Sequence, residues 1–298
     1  MSSNSTICWV CNSSHIRLQR NGNASRLLNP ELFRITASDY GVTGDIYKCD
    51  NCGFLFCPNV NNVLVQYEQM NDEVYELTRD QRALQAKKIL NAISIYKPTG
   101  ELLDVGAGSG ILVEQALNQS FKAIGIEPSL ALSETAQTLG LPVRTGVLPQ
   151  ADFQHRFDVV SLIDVIEHVD SPRILLAEAR ACMKDTGICV IVTPDVGSLA
   201  ASIMRKRWWH YRLAHIGYFN QNTLNRLLDS TGLELIDSFR PAWYFPASYL
   251  AERIMQYLPR ALRFKLPSAP HGITVRLNLF DSLLIIARKK APRQHNET

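Results

Sequence analysis

Four cysteines near the N-terminus stand in two pairs, Cys8-x-x-Cys11 and Cys49-x-x-Cys52. A pair at this spacing places two thiolates about 3–4 Å apart, as one edge of a tetrahedral Zn2+ site. Two pairs complete a four-thiolate sphere with no open position, an arrangement that is structural rather than catalytic. Gly53 follows the second pair and relieves the tight turn that points backbone N–H groups at sulfur. Cys57 is a fifth candidate ligand and His15 a weaker one. Cys182 and Cys189 fall at or near a predicted buried strand and read as small core residues. The odd total of seven cysteines argues against a disulfide framework.

A second set of residues suits a nucleotide-like ligand. The run Glu101-Leu-Leu-Asp104-Val ends in a turn that carries Gly106, Ala107, Gly108 and Gly110. Strand, glycine turn and helix bring backbone against such a ligand. The dinucleotide fingerprint G-x-G-x-x-G needs glycine at 111, where Ile111 stands. The spacing therefore points away from NAD and toward S-adenosylmethionine. Small residues in the turn allow close approach, and Asp104 is placed to receive the methionine ammonium. Glu127, followed by Pro128, lies 17 residues after Gly110. That is close to the roughly 20 residues expected for the acid that accepts both ribose hydroxyls. Further on, Phe157-Asp-Val-Val-Ser-Leu-Ile-Asp164-Val-Ile-Glu167-His168 runs out of a strand at the sheet edge where α/β proteins bind ligands.

These residues need a scaffold, and the periodicity supplies one. Strands are expected over 101–105, 122–126, 141–145, 157–162 and 187–192, and helices over 110–119, 129–139 and 171–183. This is a βαβ series and implies a parallel sheet. Residues 78–96, 197–206 and 222–231 read as further helices. Residues 233–239 and 277–288 read as two closing strands. The first 66 residues show little periodicity and are too few to build a core without a staple. The chain has 298 residues, 46% apolar and 20% charged, which is ordinary for a globular protein. No apolar run approaches the roughly 18 residues needed to span a bilayer. The N-terminus lacks signal-peptide character, so a cytoplasmic location is expected. The net charge of +3 is uneven: +1 over 1–66, −7 over 67–198 and +9 over 199–298. The basic last third suits an anionic substrate, or it is a solvated surface.

Taken together, Asp104–Gly110, Glu127, Asp164–Val169 and Thr193-Pro-Asp-Val-Gly197 resemble the motifs of class I S-adenosylmethionine-dependent methyltransferases, over about 98–290. The resemblance implies an α/β, Rossmann-like sheet of seven strands with the last antiparallel, beside a small zinc-ribbon-like domain. Domains are expected at 1–66 (zinc-binding), 67–97 (connecting helical segment) and 98–292 (methyltransferase). It implies S-adenosylmethionine as cofactor and Asp164 lining the cofactor pocket, while a structural Zn2+ is expected from the two cysteine pairs. The block Arg207-Trp-Trp-His210 with His215-Ile-Gly-Tyr-Phe219 is similar to a bacterial subgroup found with polysaccharide or secondary-pathway genes. The four-cysteine unit is similar to the zinc domain of sugar C-methyltransferases, but their further C-terminal domain is not expected here, so C-methylation of a sugar is not the expected chemistry.

An oxygen acceptor loses a proton on methylation, so a base helps. His168 is the first candidate, His215 the second and His210 the third; each is also readable as a loop anchor. Trp208 and Trp209 read as a stacking platform or as a buried aromatic corner. Residues 243–258 read as a lid over the acceptor, with a dimer face or, given Arg253, Arg260, Arg263 and Lys265, a membrane-surface contact as the alternatives. The acceptor expected is a small molecule, sugar-containing or anionic. A ribosomal RNA target is the competing class, and the low charge of residues 1–66 counts against it. An inactive fold serving as a zinc-ribbon interaction module is the third reading.

Overall fold

The computed structural model describes residues 6–24, 29–37, 40–72, 74–257 and 273–291. Two antiparallel strands, β1 (Ile16–Arg20) and β2 (Ile46–Cys49), pair with Ile16 opposite Cys49. The short β3 (Leu55–Phe56) pairs with β2. Two helices follow, α1 (Val63–Glu68) and α2 (Arg79–Ser94), the latter burying Ala86, Ile89, Leu90 and Ile93 on one face.

From residue 100 strands and helices alternate. They are β4 (Gly100–Val105), α3 (Ile111–Leu117), β5 (Phe121–Glu127), α4 (Leu130–Thr138), β6 (Val143–Thr145), β7 (Phe157–Ile163), α5 (Pro172–Cys182) and β8 (Met183–Pro194). After them come α6 (Leu199–Met204), β9 (Gly217–Tyr218), α7 (Gln221–Ser230), β10 (Leu233–Phe239), β11 (Trp243–Pro246), α8 (Ala247–Tyr257), β12 (Thr274–Leu277) and β13 (Ser282–Lys289). The main sheet runs β6-β5-β4-β7-β8-β13-β10. Its β4, β5, β6, β7 and β8 are parallel, and β13 lies antiparallel to both β8 and β10. The expected seven-stranded α/β sheet with its last strand antiparallel is therefore what the chain forms.

Local chemistry sets the ends. Ser129 caps α4 by accepting from the Leu132 N–H, and Asn220 and Thr223 form a reciprocal capping box at α7. Most residues of β7 and the C-terminal half of β8 are buried, as befits strands covered on both faces. Chain order reverses at β4, which has β5 on one side and β7 on the other. The crevice beyond the carboxyl end of such a strand is where α/β sheets bind ligands.

The stretch 277–288 is not one strand. β12 ends at Leu277 and β13 starts at Ser282. The Asn278 Oδ1 accepts from the Phe280 N–H at 2.8 Å, and Phe280 is left-handed at φ 55°. This Asx-type turn redirects the chain. β12 then pairs with β11 in a separate ribbon, with Trp243 opposite Leu277. The N-terminal sheet is also not self-contained. β9, some 160 residues later in the chain, closes it by pairing Tyr218 with Leu55. Phe54 meets Phe219 at a ring-centre distance of 4.8 Å, and both belong to one buried cluster with Phe157 and Leu224.

Candidate functional site

Asp104 stands one residue before the end of β4, buried, with its Oδ1 accepting from Ser161 Oγ at 2.7 Å. The turn then folds back, and the N–H groups of Gly106 and Ala107 donate to the Ile126 carbonyl at 2.8 and 3.1 Å. Gly106 has φ 76°, and a Cβ there would lie 2.6 Å from Val165 Cγ2. Only glycine fits both demands. Gly110 begins α3 as its left-handed N-terminal cap. At the end of β5 the Glu127 carboxylate is held from two sides. Its Oε2 accepts from the Gly108 N–H and its Oε1 from the Ser129 N–H, both at 2.8 Å. Each oxygen keeps a lone pair for a hydroxyl, which is what a vicinal diol needs.

Both carboxyls are perturbed. Burial pushes Asp104 up to about 7, against the Ser161 hydroxyl, with the nearby Glu127 charge adding to the rise. Burial likewise pushes Glu127 up to about 7, although the Ser129 and Gly108 amides oppose it. A ligand that donates hydrogen bonds or brings a positive charge relieves this cost. The sugar hydroxyls and ammonium of S-adenosylmethionine fit that donor demand.

The second half of the site grows from the end of β7. Asp164 is left-handed at φ 53° and donates its N–H to the Val192 carbonyl at 2.9 Å. Much of its surface opens onto a cavity, and desolvation there pushes its carboxyl up to about 7 although the Arg82 charge opposes it. Glu167 and His168 sit on the following 3-10 turn, Ile166–His168. The Glu167 Oε2 accepts from Thr193 Oγ1 at 2.9 Å. The Nδ1 of His168 lies 2.8 Å from the Ala214 carbonyl and 2.6 Å from the Tyr67 hydroxyl. His215 packs edge-on against His168 at 4.8 Å between ring centres, and His210 stacks on His215 at 5.7 Å. Burial lowers all three rings: His168 to about 4, His215 well below its usual value, and His210 in the same direction despite Asp281. The imidazoles are neutral at pH 7.

One cavity of about 1010 Å³ joins the two halves. That is at the top of the roughly 300–1,000 Å³ usual for a single ligand, so cofactor and acceptor fit together. It is lined by Asp104, Gly106, Ala107, Gly108, Glu127 and Pro128 at one end, and by Asp164, Glu167, His168, His210 and His215 at the other. Tyr249, Leu250, Arg253 and Ile254 of α8 close one side. Arg253 turns inward, donating to the Thr36 carbonyl at 2.7 Å. Arg260, Arg263 and Lys265 lie outside the described residues. Trp208 is fully buried with its Nε1 on Asp281, so it is an aromatic corner, whereas Trp209 lines the cavity.

Several lining residues carry no motif. Tyr67, Tyr75 and Arg82 come from the connecting segment, with the Arg82 guanidinium 4.1 Å from the Tyr75 ring centre. Only Arg82 falls in the amphipathic stretch 78–96, whose periodicity shows that a helix packs there and not what it packs against; Tyr67 and Tyr75 carry no such signal.

The four cysteines cluster away from this cavity. Their sulfurs lie within 4.8 Å of one another, with Cys8–Cys52 and Cys11–Cys49 each at 3.5 Å. Sulfurs around a tetrahedral Zn2+ at about 2.3 Å stand about 3.8 Å apart, so the set fits the metal. Each pair is followed by a left-handed residue, Asn12 at φ 57° and Gly53 at φ 77°. Space is open around Gly53, so φ alone favours glycine there. Cys57 and His15 are not in the cluster.

Comparison with known proteins agrees with this architecture. Ubiquinone biosynthesis O-methyltransferase of Rhodopseudomonas palustris strain TIE-1 is 31% identical over 122 residues, 39% of this chain and 44% of that protein. The strain HaA2 protein of the same name is 32% identical over 134 residues, 43% of this chain and 49% of that protein. The chain spans less than half the length of these curated relatives. Among solved structures, the complex between the Haloferax volcanii Trm112 methyltransferase activator and a methyltransferase contains a similar chain. Its TM-score is 0.52 at 14% identity, covering 74% of this chain and 94% of that one, a likeness of fold. A family model described as a methyltransferase domain matches residues 77–238. That span is more than half of the chain and includes the strands that present Asp104, Glu127 and Asp164, so the protein belongs to the methyltransferase domain family.

Proposed function

We propose that this protein methylates a hydroxyl of a small molecule, a sugar, glycolipid or secondary metabolite, with S-adenosylmethionine as donor. The observation that carries the reading is the single cavity joining the Gly106–Gly110 turn and Glu127 to His168 and His215. When bound, the cofactor supplies a methyl group on a sulfonium for in-line displacement. The protein's share is alignment, the largest contribution expected for such a transfer. Glu127 holds the ribose, Asp104 the ammonium, and the enclosed walls exclude water. Phe33, Ile35, Ile89 and Phe245 line the cavity, which favours an acceptor with an apolar or aromatic body. The neutral rings of His168 and His215 accept the hydrogen bond of the acceptor hydroxyl and turn its lone pair toward the methyl carbon.

The test is mass spectrometry of products formed from labelled S-adenosylmethionine and a panel of phenols, nucleotide sugars and glycolipids. His168→Ala and His215→Ala are each expected to lower turnover at least about tenfold while cofactor Kd changes less than about twofold. Unchanged turnover in both variants removes the histidines from the reaction.

Cofactor affinity should depend on pH. Binding needs Asp104 and Glu127 as carboxylates, and each titrates near 7 in the protein. Affinity should therefore rise between pH 6 and pH 8 by up to about tenfold per carboxylate, with protons released at the lower pH. The same shifts act oppositely on the free protein. A carboxyl whose folded pKa is raised binds more protons folded than unfolded, so its contribution to stability falls as pH rises from about 4 to 7. The cofactor-induced rise in Tm should thus grow toward pH 8. Calorimetry in buffers of different ionisation enthalpy measures the proton count, and a pH-independent Kd refutes the assignment.

A further inference from the structure

We infer that Glu167, His168 and His215 form a second metal site, which holds a divalent cation at the acceptor end of the cavity. The inference rests on the methyl-transfer reading and refines it: the two imidazoles hold the acceptor through a shared cation in place of direct hydrogen bonds, and the acceptor is one that carries two adjacent oxygens. One ligand atom from each of the three residues lies within 4.8 Å of the others, and Glu167 Oε1 to His168 Nε2 is 4.0 Å. Some point therefore stands no more than about 2.8 Å from all three atoms. A contraction of well under 1 Å reaches the roughly 2.0–2.2 Å of metal–nitrogen and metal–oxygen bonds.

Two of the three residues carry an unused polar atom. Glu167 Oε1 and His215 Nδ1 are buried and, among the described residues, accept or donate no hydrogen bond. Leaving a buried polar atom so costs about 1–3 kcal/mol, which a shared cation removes. The outer contacts are those of a built site. The Ala214 carbonyl takes the Nδ1 proton of His168, which leaves the Nε2 lone pair free to coordinate. Thr193 fixes the other oxygen of Glu167. The Glu167 carbonyl also accepts the Ile216 N–H at 2.9 Å, tying the His215 segment to the Glu167 turn.

Two imidazoles and one carboxylate leave open coordination positions on a cation such as Mn2+, Fe2+ or Zn2+. Those positions face the same cavity that Asp164 and Tyr67 line. An acceptor with two neighbouring oxygens, as in a catechol or a hydroxyl beside a carbonyl, can occupy two of them. Coordination acidifies the bound hydroxyl, whose proton passes to solvent before methylation. The four-cysteine site cannot take this part, because its sphere is closed.

Electron paramagnetic titration with Mn2+ tests the site on the full zinc-loaded chain, since thiolate sets disfavour Mn2+. One Mn2+ per chain is expected to bind, and Glu167→Gln and His215→Gln should each weaken it at least tenfold. Cofactor Kd, measured on the same samples, reports that the variants are folded. No Mn2+ binding at about 1 mM, or binding that both variants leave unchanged, overturns the site. Retained cofactor binding in that case leaves the methyl-transfer reading standing, whereas Mn2+ binding without cofactor binding would overturn that reading, on which the assignment rests.

Discussion

Stripping the metal from Cys8, Cys11, Cys49 and Cys52 is expected to lower Tm by about 10 °C or more and to abolish turnover. Structural zinc in small domains contributes apparent free energies of about 10–16 kcal/mol, comparable to the whole stability of a domain. Without it the unit has β1, β2 and the two-residue β3, too little sheet to stand alone. Even part of that energy, about 6 kcal/mol, shifts the Tm of a chain this size by about 10 °C.

The damage should travel because the unit is not a bystander. Phe54 and Phe56 pack with Trp9 and Phe219 in a cluster that continues to Phe157 and Leu227 under the main sheet. β3 pairs with β9, and the Cys57 N–H donates to the Ile216 carbonyl at 2.8 Å. Ile216 adjoins His215, so a loosened N-terminal sheet loosens the acceptor end of the cavity. Metal analysis should find about one tightly held zinc per chain, lost in Cys49→Ala. Zinc-free protein with unchanged Tm would show that the cysteines are packed thiols.

The parts of this architecture that the sequence made legible are those whose chemistry is local. β4, β5 and β7 are apolar runs with Asp104, Glu127 and Asp164 at or just beyond their ends, and β10 falls at 233–239 as expected. Strand periodicity and a terminal acid need no distant partner to be read. What stayed hidden depends on contacts made far along the chain. β9 is two residues long and exists because Leu55 and Phe56 meet it. The break at Asn278 interrupts an otherwise strand-like run through a side-chain turn that periodicity does not register. Tyr67 reaches His168 across 101 positions. Asp164, Glu167 and His168 were visible as a motif. That His215 closes on them follows from the Ile216–Glu167 backbone bond, a tertiary fact.

Glu127→Ala should raise cofactor Kd about 100-fold or more, the largest single-residue effect on affinity expected here. Two ribose hydroxyls donating to one carboxylate make hydrogen bonds to a charged group, each contributing about 1.5–3 kcal/mol. Loss of both amounts to about 3–6 kcal/mol, and every 1.4 kcal/mol is tenfold. The substitution also frees the N–H groups of Gly108 and Ser129, which now donate to Glu127. The glycine turn should therefore loosen, and part of the loss will come from the turn rather than the ribose. Glu127→Gln separates the two contributions. Its amide oxygen still accepts from one N–H, but its NH2 opposes the other and can only donate. A glutamine variant with intermediate affinity and near-wild-type Tm assigns the difference to the ribose contact. Equal Kd for glutamine and alanine variants assigns it to the charge. Wild-type affinity in both would move the ribose away from β5, leaving Asp104 as the buried carboxylate beside the turn and exchanging the roles of the two acids.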